Sequence, residues 1–381
     1  MSARFIARLD QRGAALVLVA ISLVVLISAA ALAVDVGLLT TARTEAQRTA
    51  DMAAHAGASS LIYSPYSEDA ARSEAIAFAA KNDVRGESSV LLPEDVEVLL
   101  DESKVRVTMH RTIDRGSPIR TFFARIFSAD RVDVRAMAAA VARPAGAVSC
   151  LLPVTVADRW YEADGTRADE NDTWDPDEGD YYGDGAMGYG SDDLGTLITL
   201  KPSQGAAQGN DGGDDPPDSN RFEPGWWYLW YPTGGGGAKT LREQVLRCPE
   251  LKVQWAVGDW ATDKNGNVQS IAKAFNDLIA LDPNARWDQS CKCVVNSAYP
   301  VSPRIRPVPL FNPETYTKQG SDSNFQISDF MGLFIVPDPG EGPPAPPGQQ
   351  SIYARIASFQ GALGGGGPTT GPLIRAVQIV E

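Results

Sequence analysis

Residues 13–34 form an uncharged, almost wholly apolar run of 22 residues near the amino terminus. At about 1.5 Å of rise per residue, a helix of that length covers the roughly 30 Å hydrocarbon core of a bilayer. Being apolar on every side, it has no polar face to turn to water, unlike the helices of a soluble core. Secretory signal peptides carry an apolar stretch of only about 7 to 15 residues. Ala29-Ala30-Ala31 and Ala31-Leu32-Ala33 are spaced like cleavage sites, yet the length of the run predicts a retained anchor. Arg4, Arg8 and Arg12 precede it and Asp35 is the first charge after it. That asymmetry predicts a single-pass protein of a bacterial-type inner membrane, with a cytoplasmic amino terminus and most of the chain in the periplasm or outside the cell.

Helical spacing continues beyond Asp35. Ala42, Ala46, Ala50, Ala53, Ala54, Gly57 and Leu61 recur at intervals of three and four, which predicts a stem helix over 36–63. A face of small residues lets another backbone approach closely. Two uses are open for Ala42, Ala46, Ala50, Ala53 and Gly57: lateral packing into an assembly, or docking on the chain's own globular part. Ser64-Pro65 ends the stem, because proline disfavours helix at the residue before it.

The rest reads as α+β. A helix is predicted over 67–82, with Ala71, Ala75, Phe78 and Ala79 on one face. Strands follow where Val96 and Val98, then Val105, Val107 and Met109, then Val132, Val134, Ala136, Ala138 and Ala140 alternate with their neighbours. A short apolar helix is expected over 119–127. Arg143-Pro144-Ala145-Gly146 breaks both periods. The expected organisation is a cytoplasmic tail 1–12, a transmembrane helix 13–35, a stem 36–63, a small α+β domain 64–143, a linker 144–149 and a loop-rich, mainly β extracytoplasmic domain 150–381. In that last domain strands are expected over 197–200, 226–231, 304–311, 330–336 and 373–380, with a helix over 268–281 capped by Asn267 and closed by Asp282-Pro283. The stretches 340–350 and 361–372, rich in proline and glycine, read as loops.

The formal net charge of −14, with no cluster of Lys and Arg, excludes a nucleic-acid partner. The four cysteines, Cys150, Cys248, Cys291 and Cys293, all fall in the part assigned to an oxidising compartment and predict disulfides. A bridge between Cys291 and Cys293 would be strained, so each is expected to pair with Cys150 or Cys248. Zinc is the rival use, although cysteine zinc ligands usually recur as two pairs with spacers of two to four residues.

No catalytic constellation is legible. His55 and His110 are the only histidines, and neither adjoins a recognisable nucleophile motif. The glycine runs at 234–237 and 364–367 lack the Lys-Ser/Thr of a phosphate loop. Asp175, Asp177 and Asp180, within an acidic stretch over 169–180, are candidate calcium ligands in a non-EF-hand loop. Asp263-Lys264-Asn265-Gly266-Asn267 reads as a turn into a helix rather than a calcium loop, since Ala274 stands where the bidentate Glu would be needed. Trp226, Trp227, Tyr228, Trp230 and Tyr231 suit core packing, with sugar stacking as the alternative.

Arg12-Gly13-Ala14, then Leu32-Ala33-Val34-Asp35-Val36-Gly37, then Ala50-Asp51-Met52-Ala53-Ala54-His55-Ala56-Gly57-Ala58 resemble the amino-terminal domain of TadG-like proteins of Flp (tight-adherence) pilus assembly. Thr121-Phe122-Phe123-Ala124-Arg125-Ile126-Phe127, followed by the Val/Ala strand, is similar to the same domain, so the resemblance spans residues 12–143. A looser likeness to carboxy-terminal regions of some members rests on Cys150-Leu151-Leu152-Pro153, Pro224-Gly225-Trp226-Trp227, Asp282-Pro283-Asn284-Ala285-Arg286-Trp287 and Ser302-Pro303-Arg304. The resemblance implies a membrane-anchored accessory or minor-pilin-like component whose partners are other pilus-assembly or minor pilin proteins; the lack of a catalytic constellation makes it non-catalytic, and the apolar helix makes the lipid bilayer its other partner. No cofactor is expected beyond calcium at the acidic stretch. The resemblance does not extend to prepilin processing, since Leu18 stands where a Glu should follow Gly13, nor to an Asp-x-Ser-x-Ser adhesion-metal motif. The rival readings are a tethered periplasmic carbohydrate-binding protein or enzyme, and an adhesin stabilised by calcium.

Overall fold

A computed structural model describes residues 11–168, 172–183, 189–202, 226–230, 238–247, 254–264, 269–319, 322–337, 352–361 and 373–380. Helix α1, Gln11–Tyr63, is a single element of 53 residues. The apolar run and the small-residue stem are thus one helix, ending at Tyr63 as the following Ser-Pro dictates. Helix α2, Glu68–Ala79, begins at Ser67, whose hydroxyl accepts the Ala70 N–H at 3.2 Å and so satisfies one of the free donors of the first turn.

Both helices cover one face of a five-stranded sheet. Its strands run Phe359–Gln360, Ile374–Val380, Val134–Pro144, Lys104–Arg111 and Val96–Leu99 in spatial order. Val105, Val107 and Met109 point inward from the Lys104–Arg111 strand, alternating with half-buried polar neighbours as their period of two requires. They meet Ala46, Ala50, Ala53, Ala54, Ala71 and Ala75 in one buried cluster. The Ile374–Val380 strand, which the sequence assigns to the second domain, pairs antiparallel with Val134–Pro144 instead, in register Val377 to Ala142. Ile374–Val380 thus sits between Phe359–Gln360 and Val134–Pro144 in the sheet that carries the two helices.

The predicted helix at 119–127 is replaced by a two-residue strand pair, Ile119–Arg120 with Arg131–Val132, and a four-residue 3-10 turn, Ala124–Phe127. Ser128, in the left-handed region at φ 64°, stops the turn, and the Thr121 hydroxyl donates across to the Ala129 carbonyl at 2.6 Å. Hairpin closure overrides the local apolar pattern.

In the second half, Asp322–Val336, Ile305–Phe311, Val154–Ala157, Trp226–Leu229, Leu197–Pro202 and Ile352–Ala357 pair in that order, and Ile352–Ala357 pairs back onto Asp322–Val336. The six strands form a closed ring, which removes open sheet edges. Trp260–Lys264 and Thr317–Gln319 extend the long Asp322–Val336 strand beyond the ring. Helices α3, Ala238–Leu246, and α4, Gln269–Leu281, pack together and add Leu241, Val245, Phe275 and Leu278 to the cluster containing Val156, Val308 and Leu333. The cap expected at Asn267 lies outside the described residues, as do most of 340–350 and 361–372 and the glycine run at 234–237.

Candidate functional site

The long helix divides into two environments. Leu16, Leu18, Ile21, Leu23, Val24, Leu26, Ile27 and Leu32 are all exposed, so none of the described residues covers the upper half of α1. It is long and apolar enough to cross a membrane. Farther along, Ala42, Ala46, Ala50 and Ala53 are fully buried against the chain's own sheet and α2. A Cβ at Gly57 would sit 2.9 Å from Val105 Cγ1, 3.1 Å from the Ala71 carbonyl oxygen and 3.3 Å from Ala75 Cβ. Of the two uses open for this stripe, the intramolecular one occupies it: the face at Ala42, Ala46, Ala50, Ala53 and Gly57 is closed to other molecules by the chain itself.

The junction between the two environments is Asp35, which is 2% exposed. Its carboxylate accepts the backbone N–H groups of Phe122 at 2.8 Å, Phe123 at 2.9 Å and Ala124 at 2.5 Å. A carboxylate carried by one helix thus caps the 3-10 turn of a distant loop, where free N–H donors favour an anion. The sequence signals this role only through a lone charge that ends a long apolar run.

A cleft of 680 Å³ opens between α1, α2 and the loop at 294–302, with Met52, His55, Ser59, Phe78, Tyr299 and Val301 in its walls. Asp51, His55 and Ser59 lie at intervals of four along α1, and Ser59 Oγ stands 3.4 Å from His55 Nδ1. Asp51 instead accepts a hydrogen bond from Gln47 Nε2 at 2.9 Å. All three project from an unbroken helix whose N–H groups are committed to helical bonds, so the helix supplies no donors for an oxyanion. The walls of the cleft are mixed, polar at Asp51, His55 and Ser59 and apolar at Met52, Phe78 and Val301. His110, on the Lys104–Arg111 strand, stands 3.5 Å from Asp95.

Two further buried centres brace the second half. Asp282 accepts the hydroxyls of Ser297 and Ser302, each at 2.7 Å, and the Ala298 N–H at 3.1 Å. Burial pushes its carboxyl up, but those donors and Arg304 outweigh that and hold it below the usual range. Arg304 donates to the carbonyls of Ile335, Asp282 and Ala285 at 2.8, 2.9 and 3.0 Å and stacks 4.5 Å from the Phe334 ring. Asp282-Pro283 and Ser302-Pro303-Arg304, distant in sequence, are thus one network. Asp158 is buried too; burial pushes its carboxyl up despite hydrogen bonds from Tyr182 Oη at 2.6 Å and Ser328 Oγ at 2.8 Å.

The expected cysteine pairing needs correction, because Cys291 and Cys293 are bonded to each other. Lys292 between them takes a φ of 47°, and the resulting tight turn sets their Cα atoms 5.2 Å apart, within bridging range. Cys150 is also disulfide-bonded, while Cys248 lies outside the described residues. Of the acidic stretch, Asp175 and Asp180 are buried and linked by the Asp175 N–H donating to Asp180 Oδ2 at 2.7 Å. Asp175 Oδ1 in turn accepts the N–H of Asp177 at 3.0 Å. Among the described residues no group of three His, Cys, Asp or Glu is arranged to hold a metal ion. Trp230 is buried, donates to the carbonyls of Leu152 and Val154, and packs edge-on against Trp255. The side chains of Trp226, Trp227, Tyr228 and Tyr231 lie outside the described residues.

These features define a class: a β-rich head built directly on the continuation of one long apolar helix, with a carboxylate tying loop to helix where the apolar half ends. Residues 13–60 match the model of the Flp pilus-assembly TadE/G-like family, Tad. The matched segment, a TadE/G-like one, lies wholly within α1 and includes both Asp35 and Gly57. No curated protein and no solved structure matches the chain.

Proposed function

We propose that the chain is a non-catalytic component of Flp pilus assembly, anchored in the bacterial inner membrane by the apolar half of α1 and presenting its two domains outside the cytoplasm. The observation that carries this reading is that the TadE/G-like segment at 13–60 is one continuous helix. Its first half is bare and its second half is the core of a folded domain. A helix of that design transmits position and orientation from the bilayer to the head without a flexible joint. It does the work of a scaffold rather than of a catalyst. The charge asymmetry of Arg4, Arg8 and Arg12 against Asp35 supports a cytoplasmic amino terminus. The cleft beside Met52 and Tyr299 supports engagement of another assembly protein next to the stem.

Photoreactive residues placed at Met52 and Tyr299, both exposed, test this in intact cells. Adducts with other Flp pilus-assembly proteins are expected. Adducts confined to proteins unrelated to pili would overturn the reading.

A further inference from the structure

The loop at 121–127 is built in an unusual way. Phe122, Phe123, Ile126 and Phe127 are 60, 42, 74 and 80% exposed, so four large apolar side chains point away from the protein within six residues. The backbone beneath them is nonetheless well satisfied. The Thr121 N–H donates to Asp130, Ile126 to Phe123, Ser128 to Arg125 and Ala129 to Ala124, and Asp35 takes the N–H groups of Phe122, Phe123 and Ala124. A loop held this firmly with its apolar side outward is shaped for an apolar surface.

Its position says which surface. Asp35 ties the loop to α1 at the residue where the apolar run stops, and the neighbouring Val34 and Val36 are themselves exposed. From Ala15 to Val34 the helix covers about 30 Å, the thickness of a hydrocarbon core. The loop is thereby pinned at the level of the outer membrane–water boundary of that span. Arg120 and Arg125 are exposed in and beside it, long cationic side chains of the kind that lie along apolar surface with the charge held in the headgroup region, while Arg131 pairs with Asp130 at 3.6 Å.

We propose that Phe122, Phe123, Ile126 and Phe127 insert into the interfacial region of the same bilayer that α1 crosses, giving the head a second membrane contact that fixes its tilt and rotation. The occupant of this surface is lipid, because the surface is continuous with the lipid-facing helix through Asp35. The proposal rests on the membrane-anchor reading above. Insertion of this kind is shallow, about 5–10 Å into the headgroup and acyl boundary.

The full chain, reconstituted in phosphatidylcholine/phosphatidylglycerol vesicles and nitroxide-labelled at Ile126→Cys or separately at Val24→Cys, tests it through collision rates with oxygen and a water-soluble nickel chelate. Both labels should favour oxygen over nickel, the label at 126 lying shallower than that at 24. A nickel-accessible label at 126 beside a deep label at 24 would overturn the inference and leave the anchor standing. A nickel-accessible label at 24 would overturn the anchor itself. A label at 126 shielded from both reagents would mean that a second copy covers the loop, and would overturn the assignment to lipid.

Discussion

Gly57 offers a quantitative test of how the stem is used. Glycine to alanine in a helix interior ordinarily stabilises by about 1 kcal/mol. At Gly57 the new methyl would lie 2.9 Å from Val105 Cγ1 and 3.1 Å from the Ala71 carbonyl oxygen, whereas carbon atoms pack best about 3.5–4.0 Å apart. Val105 is fully buried beneath the helix, and Ala71 presents backbone, so neither yields cheaply. Overpacking of this kind costs about 1–3 kcal/mol, which turns the expected gain into a net loss of about 0–2 kcal/mol. Gly37 is the internal control, since a Cβ there meets nothing within 4 Å, and Gly37→Ala should gain the full helix increment. Thermal unfolding of the detergent-solubilised chain reads the contrast, at about 2–4 °C per kcal/mol for a domain of 150–250 residues. Gly57→Ala should melt below Gly37→Ala by several degrees, and Gly57→Leu lower still, at a cost of about 3 kcal/mol. Equal rises for both alanine variants would refute the account of a stem face closed by the chain's own sheet.

Other outcomes follow from the second half of the chain. Non-reducing peptide mapping should recover Cys291 joined to Cys293 across a cut at Lys292; a peptide joining either to Cys150 would contradict the structure. Arg304→Ala removes three hydrogen bonds to buried carbonyls and should destabilise by about 3–5 kcal/mol in denaturant titration; a loss below about 1 kcal/mol would show that the network is dispensable. The carboxyl of Asp282 is held below its unfolded value of about 4, so its contribution is fully present above that pH and is lost as pH falls through the lower folded value. The stability gap between the native chain and Asp282→Asn should therefore shrink in acid, and a gap that stays constant with pH would refute this role. Asp158 has the opposite sign. Its carboxyl is raised by burial, so its ionised form weakens the fold at neutral pH and protonation relieves that cost.

Local pattern was enough to find α1, because an uninterrupted apolar run followed by small residues at three and four leaves a helix no alternative until Ser64-Pro65. It was likewise enough for the inward alternation of Val105, Val107 and Met109 and for the apolar stripe of α4. What it could not supply was long-range pairing. Nothing in the residues 374–380 says that they return across the whole second half to pair with Val134–Pro144, nor that six strands far apart in sequence close into a ring. The 119–127 segment misled because its apolar spacing is helical, while the pairing that decides its shape lies across a hairpin and on a distant carboxylate. The Cys291–Cys293 bridge is hidden for a related reason: it depends on the left-handed backbone of Lys292, which the Cys-Lys-Cys spacing does not reveal. In the sequence Asp35 is only the charge that ends the apolar run. Its three N–H partners are nearly ninety residues away, and no local rule finds them.

The proposed role in pilus assembly is tested most directly by counting surface Flp pili in a strain lacking this chain, with and without the full chain restored. The account predicts that pili are lost on deletion, return with the full chain, and do not return when residues 13–34 are exchanged for a cleavable signal peptide that releases the head. Normal pilus numbers and normal surface attachment in the deletion strain would contradict it.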